Sequence, residues 1–292
     1  MKVIQSYWSK PYNELSESNR MGGWSEKAFH YMSCALSCLK LAEFYPVELI
    51  TDQKGIDILI DKIGLPYSHT TIDLEYIDYP TSLWAAGKIV TYSIQNEPFI
   101  HIDNDVFIWS KFPEHIIASN LVVQSIEENF HHNLFYLELA IKKFKYISKS
   151  LLEQKNNKSI TNSINAGILG GKDISFIKDY AIEAIKLVES NIAEISQLKN
   201  TNGINLVFEQ CLFYSLIEEQ KKTLTCLLGK TDKAEYKELV QFWDIPCIKT
   251  YIHTISSYKQ FYVIGEQVAQ RLWYEYPEYF YRIQDLIKKN AI

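Results

Sequence analysis

Pro98-Phe99-Ile100-His101-Ile102-Asp103-Asn104-Asp105-Val106-Phe107-Ile108-Trp109 is the stretch whose reading decides the fold. Phe99 to Ile102 read as a short buried strand, and the chain then delivers Asp103 and Asp105 with one residue between them. In an extended segment residues i and i+2 project to the same side, so both carboxylates enter one small volume at the strand's C-terminal end. Two such charges ~4 Å apart repel by about 4 kcal/mol at an effective dielectric of about 20, so the pair calls for a cation, a proton or a shared donor. A divalent metal is the simplest partner.

Two other readings fit the same residues. Asp-Asn-Asp is also a good solvated turn after a strand. In the HAD-like phosphatase pattern, an apolar strand ends in Asp-x-Asp and the first carboxylate, here Asp103, is a phosphoryl-accepting nucleophile. Against it, Phe107 stands where that pattern carries a small hydroxyl or branched residue, and the motif lies far from the start of the chain.

Outward from this strand the chain alternates between strand and helix signals. Val3 to Tyr7 reads as a first strand, and an apolar stripe from Ala28 to Leu39 predicts a helix that ends before Pro46. Val47 to Thr51 is a second strand, Ile56 to Ile63 a helix stopped by Gly64-Leu65-Pro66, and Thr70 to Leu74 a third strand. A helix between Ser82 and Gln95 carries Lys88, a single cation that is either a surface lysine or part of a binding site. Leu121 to Gln124 is a further strand, Asn133 to Leu152 a long helix, and Glu153 to Ser159 a polar loop. This alternation predicts an α/β fold with a mostly parallel sheet flanked by helices. The expected organisation is one domain over residues 1–262, with a C-terminal helical extension, 263–292, packed on it.

Of the 292 residues 47% are apolar, enough for a sizeable core, and the net charge of −5 with scattered Lys and Arg gives no footprint for nucleic acid. Five cysteines without a C-x-x-C pair suggest neither a disulfide framework nor a zinc site. There is no signal-like apolar opening and no run of about 18 apolar residues, so the expectation is a cytoplasmic protein without a transmembrane segment. Trp273, Tyr274 and Tyr276 offer an aromatic surface for a possible homodimer.

Three later motifs carry chemistry. Ile164-Asn165-Ala166-Gly167-Ile168-Leu169-Gly170-Gly171 combines small residues, which permit close approach to the backbone, with an Asn that both donates and accepts. Glu209-Gln210 lies on a helix among Phe208, Cys211, Leu212 and Tyr214, where a carboxylate is costly unless used or paired. His253 is followed six residues on by Lys259.

Taken in order, Asp103-Asn104-Asp105, Asn165-Ala166-Gly167, Glu209-Gln210 and His253 with Lys259 resemble the nucleotide-sugar glycosyltransferases of the GT-A fold. The closest group is the retaining, metal-dependent one that contains glycogenin and the bacterial lipopolysaccharide galactosyltransferases. The resemblance spans residues 1–260 as a pattern of motifs. It implies that Asp103, Asp105 and His253 ligate Mn²⁺ or Mg²⁺, that Lys259 contacts the donor diphosphate, and that Asn165 and Gln210 face the transferred sugar. It makes Tyr7 and Asp52 candidates for the nucleotide half of the site. The donor it implies is a nucleotide-diphosphate sugar, a UDP-sugar first; the acceptor, a glycan, lipid, peptide or small molecule, stays open. The chain departs from the pattern at Glu209, where the family has Asp, and at Ser256, where it has Gly. No Pro-Trp follows Lys259. Gln210 lining the sugar suits retention, whereas Glu209 as a base would suit inversion. A nucleotidyltransferase is disfavoured because no Gly-rich basic loop follows the first strand, and a degenerate, non-catalytic binding domain is the remaining rival.

Overall fold

The computed structural model describes residues 1–13, 20–128, 130–157, 162–231 and 236–292. The chain divides into two compact units whose segments interleave. One comprises residues 2–75, 102–111 and 235–292; the other comprises Met1, residues 76–101 and residues 112–234.

The first unit is built on three parallel strands in the order β3-β2-β1: β1 (Lys2–Tyr7), β2 (Val47–Thr51) and β3 (His69–Thr71). Helix Lys27–Ala42 packs its apolar face, including Met32, Ala35, Leu36 and Leu39, into the core that these strands share. The third strand is shorter than its sequence suggests, and Leu74 instead donates its backbone N–H to Thr51 beyond the end of β3. Helices Tyr262–Glu275 and Pro277–Lys288 join the same core through Ile264, Val268, Leu272 and Ile283. In this unit the segment after Asp105 forms β5 (Val106–Ile108), antiparallel to β10 (Tyr251–His253), with His253 opposite Val106.

The second unit has the strand order β4-β7-β6-β8: β4 (Phe99–Ile102, within this unit to His101), β6 (Val122–Glu127), β7 (Ser163–Gly171) and β8 (Thr225–Cys226). A short β9 (Lys230–Thr231) also pairs with β6. β6 and β7 are antiparallel, while β8 and β9 run parallel to β6. At Gly170 β7 lies so close to β4 that a Cβ there would be 2.1 Å from the Phe99 carbonyl oxygen. Helices Ala86–Ser93, Ile174–Glu189 and Leu212–Gln220 cover the sheet, with Tyr180 edge-on to Phe213 at 4.9 Å.

The long helix expected from Asn133 to Leu152 is two helices, His131–Lys143 and Lys149–Asn157. Asn191 explains the break. Its Oδ1 accepts the backbone N–H groups of Lys145 and Tyr146, and its Nδ2 donates to the Tyr146 carbonyl, replacing the hydrogen bonds a helix would supply. The polar loop expected at Glu153 to Ser159 is helical as far as Asn157; Lys158 and Ser159 lie outside the described residues. Both units are α/β, with mostly parallel strands flanked by helices, as the sequence predicts. Among the described residues, no helix is long and apolar enough to cross a membrane.

Candidate metal site and a second buried polar cluster

Asp103 and Asp105 sit on a turn closed by a hydrogen bond from the Val106 N–H to the Asp103 carbonyl. The turn is held from three sides of its own unit. Ser37 on helix Lys27–Ala42 donates to the Val106 carbonyl at 2.6 Å, and Ser33, one turn earlier, donates to the Asn104 carbonyl at 2.9 Å. From β1 the Ser6 carbonyl accepts the Asn104 amide, and Thr254 gives its backbone N–H to the Asp105 carbonyl at 3.0 Å. Fixing the turn's backbone in this way sets the directions of the two carboxylates.

The β5–β10 pairing then brings up His253, a residue distant in sequence. One ligand atom each from Asp103, Asp105 and His253 lies within 4.8 Å of the others, a group that can hold a metal ion. His253 Nε2 is 3.5 Å from Asp105 Oδ1, and the Lys259 ammonium pairs with Asp105 Oδ2. Burial pushes the pKa of Asp105 up, but Lys259 and then His253 outweigh it, and the carboxyl is held far below its usual range. Tyr251 responds in the opposite sense, its phenol pKa raised by burial and then by both aspartates. Two carboxylates and one imidazole form a hard, mostly oxygen donor set that fits Mn²⁺ or Mg²⁺.

Tyr7 and Asp52 are in the same unit. Tyr7 stacks on Tyr12 at 5.1 Å, and Tyr12 lies 4.5 Å from the ring of His30. Asp52 has both oxygens on backbone groups: it accepts from the Ser9 N–H at 2.7 Å and caps the following helix at the Gly55 N–H at 2.8 Å. His30, which the sequence reading passed over, is buried between these rings. Its signal was a lone imidazole on an otherwise apolar helix face.

Asn165, Lys88, Glu209 and Gln210 belong to the other unit, where a second polar cluster forms. Glu209 is fully buried and ion-paired with Lys88, which also donates to the Ala166 carbonyl at 3.1 Å; Lys88 is buried, not a surface lysine. Asn165 donates to Glu127 Oε1 at 3.0 Å and accepts the Gly167 N–H at its Oδ1. The other oxygen of Glu127 accepts from Ser163 at 3.2 Å and Asn133 at 3.4 Å. Glu127 was missed in the sequence, although it ends an apolar strand just as Asp103 does. Gln210 Oε1 is buried and makes no hydrogen bond among the described residues.

A family model described as "Family of unknown function (DUF6734)" matches residues 1–286. No curated protein matches the sequence. Among solved structures, the glycosyltransferase GlyE of Streptococcus pneumoniae TIGR4 is similar at 11% identity and a TM-score of 0.43, over 99% of this chain and 63% of GlyE. The galactosyltransferase LgtC is similar at 10% identity and 0.35, over 71% of this chain and 70% of that one. Mouse xyloside xylosyltransferase 1 follows at 9% and 0.37, over 77% and 84%.

Proposed function

We propose, for a chain that belongs to the family of unknown function DUF6734, a metal-dependent glycosyltransferase that moves a sugar from a nucleotide-diphosphate donor, a UDP-sugar first, to an acceptor hydroxyl. The observation that carries this reading is the convergence of Asp103, Asp105 and His253 within 4.8 Å, with Lys259 beside them. Asp103, Asp105 and His253 would hold Mn²⁺ or Mg²⁺, and such an ion, when bound, offsets the charge that develops on a departing diphosphate.

The chain's own residues have distinct tasks in this reading. Lys259 donates to diphosphate oxygens. The resemblance gives Asn165 and Gln210 the sugar-facing role; within their own unit Asn165 is oriented by Glu127, and Gln210 Oε1 makes no hydrogen bond among the described residues. Glu209 is already committed to Lys88, which argues against its use as the base of an inverting reaction. Retention, with a donor phosphate oxygen taking the acceptor's proton, is the outcome the resemblance favours, and the pairing of Glu209 with Lys88 supports it. Tyr12, the partly exposed ring backed by the buried Tyr7 and His30, is the candidate surface for the nucleotide base.

The test is thermal unfolding with UDP, GDP, CMP and ADP, each with and without Mn²⁺. A nucleotide at 100 times its dissociation constant adds about 2.7 kcal/mol. We expect one nucleoside diphosphate to stabilise the protein only with metal, and Asp105→Ala to abolish that effect while the variant still folds. No stabilisation by any of them, or an unaltered effect in Asp105→Ala, would sink the reading. A beryllofluoride adduct on Asp103, the mimic of a phospho-aspartate, would replace it with the phosphatase.

A further inference from the structure

Helix Tyr262–Glu275 buries Ile264, Val268 and Leu272 in the core of its unit and turns Tyr262, Val263, Glu266, Gln270, Trp273 and Tyr274 to solvent. At 3.6 residues per turn these side chains span about 120° of arc, a single face. A surface helix ordinarily carries its charges on that face. Of the charged residues of this helix, Arg271 donates to the Phe242 and Ile245 carbonyls, Glu275 pairs with Lys40, and Glu266 faces solvent. Tyr281, on the next helix, extends the face by accepting the Trp273 indole N–H at 3.1 Å. Tyr276, which the sequence groups with Trp273 and Tyr274, is half-buried and gives its hydroxyl to Glu43.

Phe261, Tyr262, Val263, Trp273, Tyr274 and Tyr281 are each 49–76% exposed. At about 200 Å² for a large side chain they leave about 700 Å² in water, close to the ~800 Å² that each partner gives to a stable interface. Aromatic residues with charge withdrawn are the composition of a protein interface, and a face without lysine or arginine does not suit an anionic bilayer. The order of residues along the face picks out the partner. Counted outward from Val268, Glu266 and Gln270 lie at two residues, Val263 and Trp273 at five, and Tyr262 and Tyr274 at six, so the face is nearly the same in both directions. We propose that it is the interface of a homodimer in which this helix crosses its copy antiparallel, about a two-fold axis level with Val268. Tyr262 and Val263 then pack on the partner's Trp273 and the partner's Tyr274, and Glu266 accepts the amide of the partner's Gln270, each contact occurring twice as a two-fold interface requires. A parallel pair would instead set Glu266 on its own copy, like charge on like.

The experiment is sedimentation velocity of the full chain over a range of concentrations, with wild type, Trp273→Lys, Gln270→Lys, Gln270→Glu and the exchange variant Glu266→Lys/Gln270→Glu. Tyr76→Lys, at a 91% exposed tyrosine of the other unit, controls for a new surface charge. Wild type and Tyr76→Lys should dimerise alike, and Trp273→Lys should shift to monomer. In the antiparallel pair Gln270→Lys gains two contacts with Glu266 across the interface and should tighten the dimer about fivefold, whereas Gln270→Glu meets Glu266 with a like charge and should weaken it about fivefold. The exchange variant should dimerise at least as tightly as wild type, because each lysine again meets a carboxylate. Both positions are exposed, so these variants leave the core untouched. A wild type that stays monomeric, a dimer indifferent to Trp273→Lys, or a Gln270→Lys no tighter than Gln270→Glu would overturn the proposal. So would a monomer that co-sediments with phosphatidylglycerol vesicles unless Trp273 is replaced, since the face would then belong to a bilayer.

Discussion

His30 lies on helix Lys27–Ala42 with 4% of its surface exposed, between Tyr7, Tyr12 and Tyr31. Burial, then the nearby Lys259, pushes its pKa down to about 3; Asp105 pulls the other way and Lys27 adds slightly to the fall. An imidazole with a folded pKa below its unfolded value of about 6.5 takes up a proton on unfolding, so acid favours the unfolded chain. The contribution of His30 is therefore complete above about pH 6.5 and is lost progressively as pH falls toward about 3. Between pH 6.5 and 5, above most carboxylate titrations, the slope of about 1.4 kcal/mol per pH unit amounts to a loss of about 2 kcal/mol. Urea unfolding across that interval should show the decline in wild type and a flatter profile in His30→Gln; equal slopes would mean that His30 is protonated in the folded protein. At this scale the sequence disclosed residues by local pattern. Asp103 and Asp105 were legible because their one-residue spacing states the electrostatic problem by itself, and His253 became visible only through the order of motifs. His30 and Glu127 were not legible, because what marks them is burial against partners, and no local spacing reports burial.

The tie between helix Ala86–Ser93 and the helical segment Leu206–Cys211 is the Lys88–Glu209 pair, with Glu209 wholly buried and the Lys88 side chain 10% exposed. Removing one member strands a charge in the interior, at a cost of about 3–5 kcal/mol, whereas replacing both by apolar residues of similar volume is nearly neutral. Lys88→Met should therefore destabilise the protein strongly in urea, and the double variant Lys88→Met/Glu209→Leu should recover most of the loss. If the single variant costs little, or the double is worse than the single, the pair is not the tie described. The sequence flagged Glu209 as a costly carboxylate and Lys88 as a lone cation without joining them, since nothing local links residues so far apart. Elements followed the same rule. β1, β2 and β4 were readable from apolar runs, whereas β8, β9 and β10 are too short to carry a period, and the Asn191 side chain that ends helix His131–Lys143 acts from a distant segment.

At the scale of the whole chain, the alternating pattern gave the α/β class, but the division into units follows long-range packing: residues 102–111 and 235–292 share a unit with residues 2–75. The consequence is that Asp103, Asp105, His253 and Lys259 lie in one unit, whereas Lys88, Asn165, Glu209 and Gln210 lie in the other. A ligand that binds only the native state raises the opening free energy of the segments that hold it, and amide hydrogen exchange reads that increase segment by segment. Mn²⁺ without nucleotide should accordingly slow exchange in residues 102–109 and 250–255, where the three candidate ligands sit on the β5–β10 pair and its preceding turn. Residues 163–171 and 204–212, in the other unit, should not respond. EDTA should reverse every change, and Asp105→Asn should show none. Protection confined to 163–171 or 204–212 would move the metal to the Glu127 and Glu209 cluster, and protection nowhere at saturating Mn²⁺ would remove the metal from the protein's chemistry.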